Sequence, residues 1–192
     1  MREARKKVKG GEPMKDEKVY NVVLTGIMMC LVMVATMTIR IPVPFTQGYV
    51  HLGDTMIFLA VLVLGKRNAT LAAGFGSGLA DLLSGYAYYA PWTLAVKALM
   101  AFAVGAALEH MEKKGQLEEG HVSLPVLLAM FFGGLEMTVG YYVAASLMHG
   151  NWYTPLFSVP GNIGQFAVGM VLAFILAKAL YKTPARKYFA IK

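Results

Sequence analysis

VYNVVLTGIMMCLVMVATMTI, residues 19–39, contains no charged residue and lies between Lys18 and Arg40. A helix rises about 1.5 Å per residue, so this run forms a helix of roughly 30 Å, the thickness of a bilayer core. The whole chain of 192 residues has the same character, with 57% hydrophobic and 15% charged residues, whereas soluble domains carry about 25% charged residues. The apolar content excludes a disordered chain, and the single Cys30 excludes a disulfide scaffold.

Five further apolar segments follow this first run. They extend from about Leu52 to Leu64, Ala69 to Leu83, Pro91 to Leu108, Leu124 to Met148, and Pro160 to Tyr181. The second and third are too short to cross a bilayer unaided, so we expect them to tilt, to extend into polar flanks or to be shielded by neighbours. The sequence predicts an all-α integral membrane protein. It has a basic segment at residues 1–18, a bundle of six transmembrane helices at 19–181 and a basic tail at 182–192.

The basic residues predict the orientation of the bundle. Seven precede the first run, five close the chain, and two short loops carry Lys66 with Arg67 and Lys113 with Lys114. With six crossings all these clusters fall on one face, and basic loops stay cytoplasmic. We therefore expect a protein of a bacterial-type plasma membrane with both termini in the cytoplasm. Its expected surroundings are lipid, and no nucleic-acid partner is expected. A cleaved signal peptide is disfavoured, because the charged leader is long and no small-residue cleavage site follows it.

The loops predicted on the outer face are nearly uncharged and rich in aromatic residues, proline and glycine. They comprise residues 42–49, 84–92 and 148–157. An interfacial aromatic belt would appear on both faces, yet both tryptophans and most tyrosines lie outside. This asymmetry favours an aromatic lid over an outward-facing pocket.

Four ionisable side chains interrupt the apolar segments: Asp54, Asp81, Lys97 and Glu136. Charges at membrane depth are costly and usually face a cavity or a partner. For the two aspartates, helix-end hydrogen bonding is the alternative to ligand contact. For Lys97, the alternative is a buried ion pair with Glu136 or Asp81.

Asn162 and Gln165 lie three residues apart at the start of the sixth segment, so they share one helical face. Such amides either join helices or read the donors and acceptors of a small heteroaromatic ligand. Together with Lys97, Glu136 and the aromatic loops, they predict a cavity in the outer half of the bundle.

Small residues predict close helix contacts. Residues 72–80 are rich in glycine and alanine but lack the lysine of a phosphate-binding loop, which favours helix packing. Gly26 and Cys30 form a small-xxx-small pair, used either inside the bundle or to dock another membrane protein. No histidine pair has metal spacing, Ser77 has no intramembrane histidine partner, and no ATP-binding motif is present. We therefore expect no enzyme and no metal.

The chain from about residue 19 to 181 resembles the S component of energy-coupling factor (ECF) vitamin transporters. The likeness lies in residues 51–54 (HLGD), 74–92 with Lys97, and 159–165 (VPGNIGQ). It implies a subunit that captures a vitamin from outside and works with a transmembrane T component and two cytoplasmic ATPases. It implies no cofactor in this chain, with ATP used by the partner subunits. Gly26 and Cys30 occupy the place of the family's docking motif for the T component.

The resemblance also implies a substrate site. Its expected members are Lys97, Glu136, Tyr141, Asn162 and Gln165, with Asp81 beside them and a lid of Tyr49, His51, Tyr86, Tyr88, Trp92 and Trp152. The closest branch handles hydroxymethylpyrimidine, pyridoxine and riboflavin, so we expect a pyridoxine- or hydroxymethylpyrimidine-like ligand. Riboflavin and pantothenate remain alternatives, as does a standalone secondary carrier or channel with Asp81, Lys97 and Glu136 as an ion relay.

Overall fold

The computed structural model describes residues 15–42, 49–117 and 122–190. Most of the predicted basic leader, most of the first outer loop, part of an inner loop and the last two residues therefore lie outside the described residues. Six α-helices form the described chain. They are α1 (Lys15–Thr38), α2 (Gly53–Leu64), α3 (Lys66–Leu83), α4 (Ala90–Lys113), α5 (Leu124–His149) and α6 (Val159–Tyr181).

The predicted segments agree with these helices within a few residues, the largest difference being the extension of α4 beyond Leu108 to Lys113. Four stretches are long and apolar enough to cross a membrane: Lys18–Thr38, Ala90–Lys113, Leu124–His149 and Thr154–Tyr181. Helix α2 has only 12 residues, about 18 Å, and α3 begins with two basic residues and carries Asp81 near its end. The fold thus contains four helices that are long and apolar enough to span a membrane and two, α2 and α3, that do not reach that length and apolarity.

Helix α2 lies in the interior of the bundle. It contacts α1, α3, α4 and α6, and the other helices pack in the series α1, α3, α4, α5 and α6, whose two ends are joined through α2. Most of its residues from Gly53 to Leu62 are buried, as expected for a helix that is apolar on every face. Phe58 of α2, Met100 of α4 and Phe166 of α6 are fully buried members of one hydrophobic core. This burial explains how so short an apolar segment is accommodated.

The glycines of α3 serve close helix packing. A Cβ atom at Gly74 would lie 3.1 Å from the Leu94 carbonyl oxygen of α4, and one at Gly76 would lie 2.7 Å from the Met29 carbonyl oxygen of α1. Any larger side chain would push these backbones apart. The packing interpretation of residues 72–80 is therefore confirmed.

One end of the bundle collects the basic loops. Lys66 Nζ lies 2.6 Å from Glu109 Oε2, which joins the start of α3 to the end of α4. The chain after α6 forms a short 3₁₀ helix, Pro184–Tyr188, and returns to this end, where the Ala190 N–H donates to the Leu62 carbonyl oxygen at 3.0 Å. Phe189 is buried there against Tyr181. The predicted tail is thus packed on the bundle up to Ala190.

The opposite end carries a small hairpin that the all-α prediction did not include. Strand β1 (Arg40–Pro42) pairs antiparallel with β2 (Tyr49–His51), with Ile41 opposite Val50. Three-residue strands are too short to show a period of two in the sequence. Strand β2 contacts α1 and α6, and this contact brings the aromatic residues of β2 to the ends of the helices.

Candidate functional site

A cavity opens at the hairpin end of the bundle, opposite the basic loops. It holds about 630 Å³ of empty space, its open mouth included. Its wall is aromatic and polar. The lining residues are Tyr49, His51, Asp81, Tyr86, Tyr89, Thr93, Tyr141, Ala145, His149, Pro155, Ser158, Asn162 and Gln165.

Helix ends position this wall. Helix α3 contributes Asp81 from its last turn and α4 contributes Thr93 from its first turn. Helix α5 contributes Tyr141, Ala145 and His149, whose spacing of four residues keeps them on one face. Helix α6 begins at the same end of the bundle as the hairpin. Its residues Asn162 and Gln165 therefore line the same cavity.

Gln165 is held in a defined orientation at the base of the cavity. The backbone N–H of His51 donates to its Oε1 at 2.8 Å, and its Nε2 donates to Asp54 Oδ2 at 2.8 Å. These two bonds assign the oxygen and nitrogen of the amide. One turn further along α6, a Cβ at Gly169 would lie 2.9 Å from the Asp54 Cβ, so the glycine lets α2 approach closely enough for the bond.

Lys97 forms a buried ion pair with Asp54 rather than with Glu136 or Asp81. Both side chains are 0% exposed, and Lys97 Nζ also lies 2.8 Å from the Met137 thioether sulfur. The alternative of an ion pair with Glu136 or Asp81 was wrong, because α2 lies inside the bundle and presents Asp54 directly to α4. Lys97 is consequently beneath the cavity and does not line it.

Asp81 differs from Asp54 in its partners. It is 4% exposed and lines the cavity. The Tyr49 hydroxyl donates to its Oδ1 at 2.6 Å, and Thr93 also hydrogen-bonds this carboxylate. Within residues 15–42, 49–117 and 122–190, no lysine, arginine or histidine forms an ion pair with Asp81. Asp81 is therefore a buried carboxylate served by neutral hydroxyl groups.

The tyrosine wall is built from β2 and the loop before α4. The rings of Tyr49 and Tyr86 lie 4.7 Å apart, and those of Tyr49 and His51 lie 5.6 Å apart. The Arg40 guanidinium lies 5.6 Å from the centre of the Tyr49 ring. Burial and the Asp81 hydrogen bond raise the pKa of Tyr49 above its ordinary value, so the phenol stays protonated.

His51 is a neutral imidazole. Burial, followed by the nearby charge of Lys97, lowers its pKa to about 3. Its Nδ1 accepts the Gly53 backbone N–H at 2.9 Å, which places the imidazole hydrogen on Nε2. His51 therefore contributes a neutral donor to the cavity end of β2.

The structure brings together seven of the predicted site residues. These are Tyr49, His51, Asp81, Tyr86, Tyr141, Asn162 and Gln165. Sequence reasoning did not select Tyr89, Thr93, His149, Ser158 or Asp54 as site residues. Two of them, Thr93 and His149, carried a usable signal in the sequence. Thr93 lies four residues before Lys97 and His149 lies eight residues after Tyr141, so each shares a helical face with a predicted site residue.

Besides Lys97, four predicted residues do not reach the cavity wall. Glu136 lies five residues before Tyr141 on α5 and so points about 140° away from it. Trp92 precedes Thr93 and faces away by about 100° for the same reason. Tyr88 and Trp152 are exposed at the rim, where the Tyr88 hydroxyl donates to the Met148 carbonyl oxygen at 3.3 Å. These positions correct the expectation that all four line the pocket.

Gly26 and Cys30 lie on the outer surface of α1. A Cβ at Gly26 would meet nothing within 4 Å, and Cys30 is exposed. Both line a shallow apolar groove together with Val23, Ile27, Leu31 and Val34. The alternative that this pair serves packing inside the described bundle is wrong.

The chain matches one family model and is similar to several known proteins. The ECF-type riboflavin transporter S component family matches residues 16–182. An uncharacterised protein from the gap 3′ region of Pyrococcus woesei is 33% identical over 155 residues, 78% of this chain and 96% of the relative. The thiamine precursor transporter HmpT of Lactococcus lactis subsp. cremoris is 28% identical over 171 residues, 88% of this chain and 93% of that protein.

The fold has a solved counterpart. The crystal structure of the S-component for biotin from an ECF-type ABC transporter superimposes with a TM-score of 0.68. The match covers 92% of this chain and 98% of the other, at 18% sequence identity. At that identity the likeness establishes the arrangement of helices and leaves the ligand to the cavity residues.

Proposed function

Because the chain belongs to the family of S components of ECF-type transporters, we propose that it captures a small vitamin or vitamin precursor for an ATP-driven importer. The family and fold are those of transporter subunits, so the proposal involves no catalysed reaction in this chain. The observation that carries it is the cavity of aromatic, amide and carboxylate side chains at the end of the bundle opposite the basic loops. By the positive-inside rule that end faces outward, the side from which a nutrient arrives.

The cavity suits a small heteroaromatic ring. Tyr49, Tyr86 and Tyr141 offer faces for stacking. Asn162 offers an amide donor and acceptor, and Gln165 offers the remaining acceptor capacity of its Oε1. The homologue HmpT is named as a transporter of a thiamine precursor, which supports a hydroxymethylpyrimidine-like or pyridoxine-like ligand for this chain. Riboflavin and pantothenate are the competing ligands in the test below.

The proposed topology has six crossings with both termini in the cytoplasm. Helices α1, α4, α5 and α6 are long and apolar enough for this, and α2 and α3 complete the count, with α2 buried among the other helices. Lys66 and the returning tail lie together at one end, in keeping with one cytoplasmic face.

The proposed partners are a transmembrane T component and two cytoplasmic ATPases. Ligand delivery then depends on them, because this chain would bind but not move the ligand alone. The apolar groove of α1 around Gly26 and Cys30 is the surface we assign to the T component. The small side chains at Gly26 and Cys30 allow close approach of another helix.

The proposal is tested by titrating the purified, detergent-solubilised protein with four ligands: 4-amino-5-hydroxymethyl-2-methylpyrimidine, pyridoxine, riboflavin and pantothenate. We expect saturable one-to-one binding of one of them by calorimetry and native mass spectrometry. A folded protein that binds none of the four contradicts the capture function. Gradient-driven uptake into liposomes containing this chain alone supports a secondary carrier instead.

A further inference from the structure

We propose that Asp81 selects the ligand by accepting a hydrogen bond from an amino group on a heteroaromatic ring. The site then prefers aminopyrimidine-like rings and discriminates against vitamins that carry a carboxylate. This inference rests on the proposed capture function and adds to it a named selecting residue and a chemical class.

The argument begins with the contrast between the two buried aspartates. Asp54 is 0% exposed, and its two oxygens are taken by Lys97 and Gln165. It has no free face toward the cavity. Asp81 lines the cavity and bonds only to the hydroxyl groups of Tyr49 and Thr93 among the described residues. A carboxylate accepts about four hydrogen bonds, so Asp81 retains acceptor capacity toward a ligand.

The second step concerns the cations near the site. Lys97, the fully buried cation, is neutralised by Asp54. Arg40 is exposed and lies over the face of Tyr49, where water screens it. His51 is neutral because its Nδ1 accepts the Gly53 N–H, and His149 lies half-buried at the end of α5. An anionic ligand group would thus meet a carboxylate without a buried cation in the described wall to balance it.

The third step places the ring. Tyr49 and Tyr86 form a tilted aromatic pair, and the Tyr49 hydroxyl points at Asp81. A flat ring that packs on these tyrosines has its edge near the same carboxylate. An exocyclic amine on that edge supplies a further donor to the acceptor capacity of Asp81 that the protein hydroxyl groups leave free. Pyridoxine, which has hydroxyl groups but no amino group, is expected to bind more weakly.

The test combines a change in the protein with a change in the probe. Wild type and Asp81→Asn are titrated with 4-amino-5-hydroxymethyl-2-methylpyrimidine and with the same pyrimidine lacking the amino group. Deleting the amino group should weaken binding to wild type about 10- to 100-fold, as expected for a lost hydrogen bond to a charged group. It should matter little in Asp81→Asn. Glu136→Gln is the matched control, because Glu136 is a membrane-embedded carboxylate outside the cavity wall, and it should keep the wild-type ratio.

Each outcome decides the proposal. An equal loss in wild type and Asp81→Asn overturns the role of Asp81, as does tighter binding of pantothenate than of the aminopyrimidine to wild type. In both cases the capture function stands. Failure of wild type to bind any of the vitamins or pyrimidines overturns the capture function as well. If Asp81→Asn does not fold, the wild-type ratio for the two pyrimidines decides: a ratio below about threefold overturns the proposal.

Discussion

Gln165 and Asp54 are 111 positions apart in the chain, yet the amide Nε2 of the first donates to Oδ2 of the second at 2.8 Å. The same carboxylate pairs with Lys97 through its other oxygen. A cavity residue is thereby fixed by an ion pair that the cavity does not contact. The shape of the site and the stability of the bundle depend on one shared group, and the predictions below separate the two.

Asp54→Asn should destabilise the bundle strongly. It leaves Lys97 buried without a counter-charge, a situation that costs about 3–5 kcal/mol in buried pairs. The double variant Asp54→Leu with Lys97→Met should recover most of the loss, because both charges are removed together. Thermal unfolding in detergent measures both. A double variant no more stable than Asp54→Asn contradicts this account.

Gln165→Ala and Asn162→Ala should both weaken ligand binding, by roughly tenfold for one lost hydrogen bond. Only Gln165→Ala should also lower the unfolding temperature, since it alone removes a partner of Asp54. Ile163→Ala is the control, because Ile163 lies between them on α6 and is 43% exposed. Normal binding by both amide variants would show that the site is wrongly assigned.

Acid should destabilise the protein through His51. Its pKa is about 3 in the folded state against an ordinary value of 6.5, so between these values the unfolded chain binds one more proton. Stability is therefore full above pH 6.5 and is lost as the pH falls toward 3, at up to about 1.4 kcal/mol per pH unit. Unfolding measured across this range should show a shallower slope for His51→Gln. The exposed His110→Gln serves as control, and identical slopes in all three proteins would refute the argument.

Gly26→Leu should abolish transport by the assembled importer while leaving ligand binding and folding intact. A Cβ atom at Gly26 meets nothing within 4 Å, and Gly26 lines the exposed α1 groove, so a side chain there extends into that groove. Vesicle uptake measures transport, and ligand titration measures binding by the folded protein. Co-purification with the T component and the two ATPases measures docking. Val168→Leu, on the exposed face of α6, should change none of them. Normal transport by Gly26→Leu would show that the groove is not part of the docking surface.

Local patterns were sufficient for much of this molecule. The uncharged run at 19–39 and its five successors predicted the six helices, because hydropathy and helix length act within one segment. The glycine spacing of residues 72–80 predicted close packing for the same reason, and the spacing of Asn162 and Gln165 placed both on one face. The hairpin was missed, since three-residue strands leave no periodic signal.

The tertiary structure alone decided the pairing of the charges. Nothing local distinguishes Asp54 from Asp81 as the partner of Lys97; the choice follows from α2 lying inside the bundle beside α4. Likewise, Glu136 and Tyr141 both occur on α5, but the rotation of that helix against its neighbours sends only Tyr141 to the cavity. The sequence determined which segments are apolar enough to enter a membrane, because hydropathy is a property of each segment. The packing of those segments determined which polar groups neutralise one another and which remain for a ligand, because that depends on distances between helices.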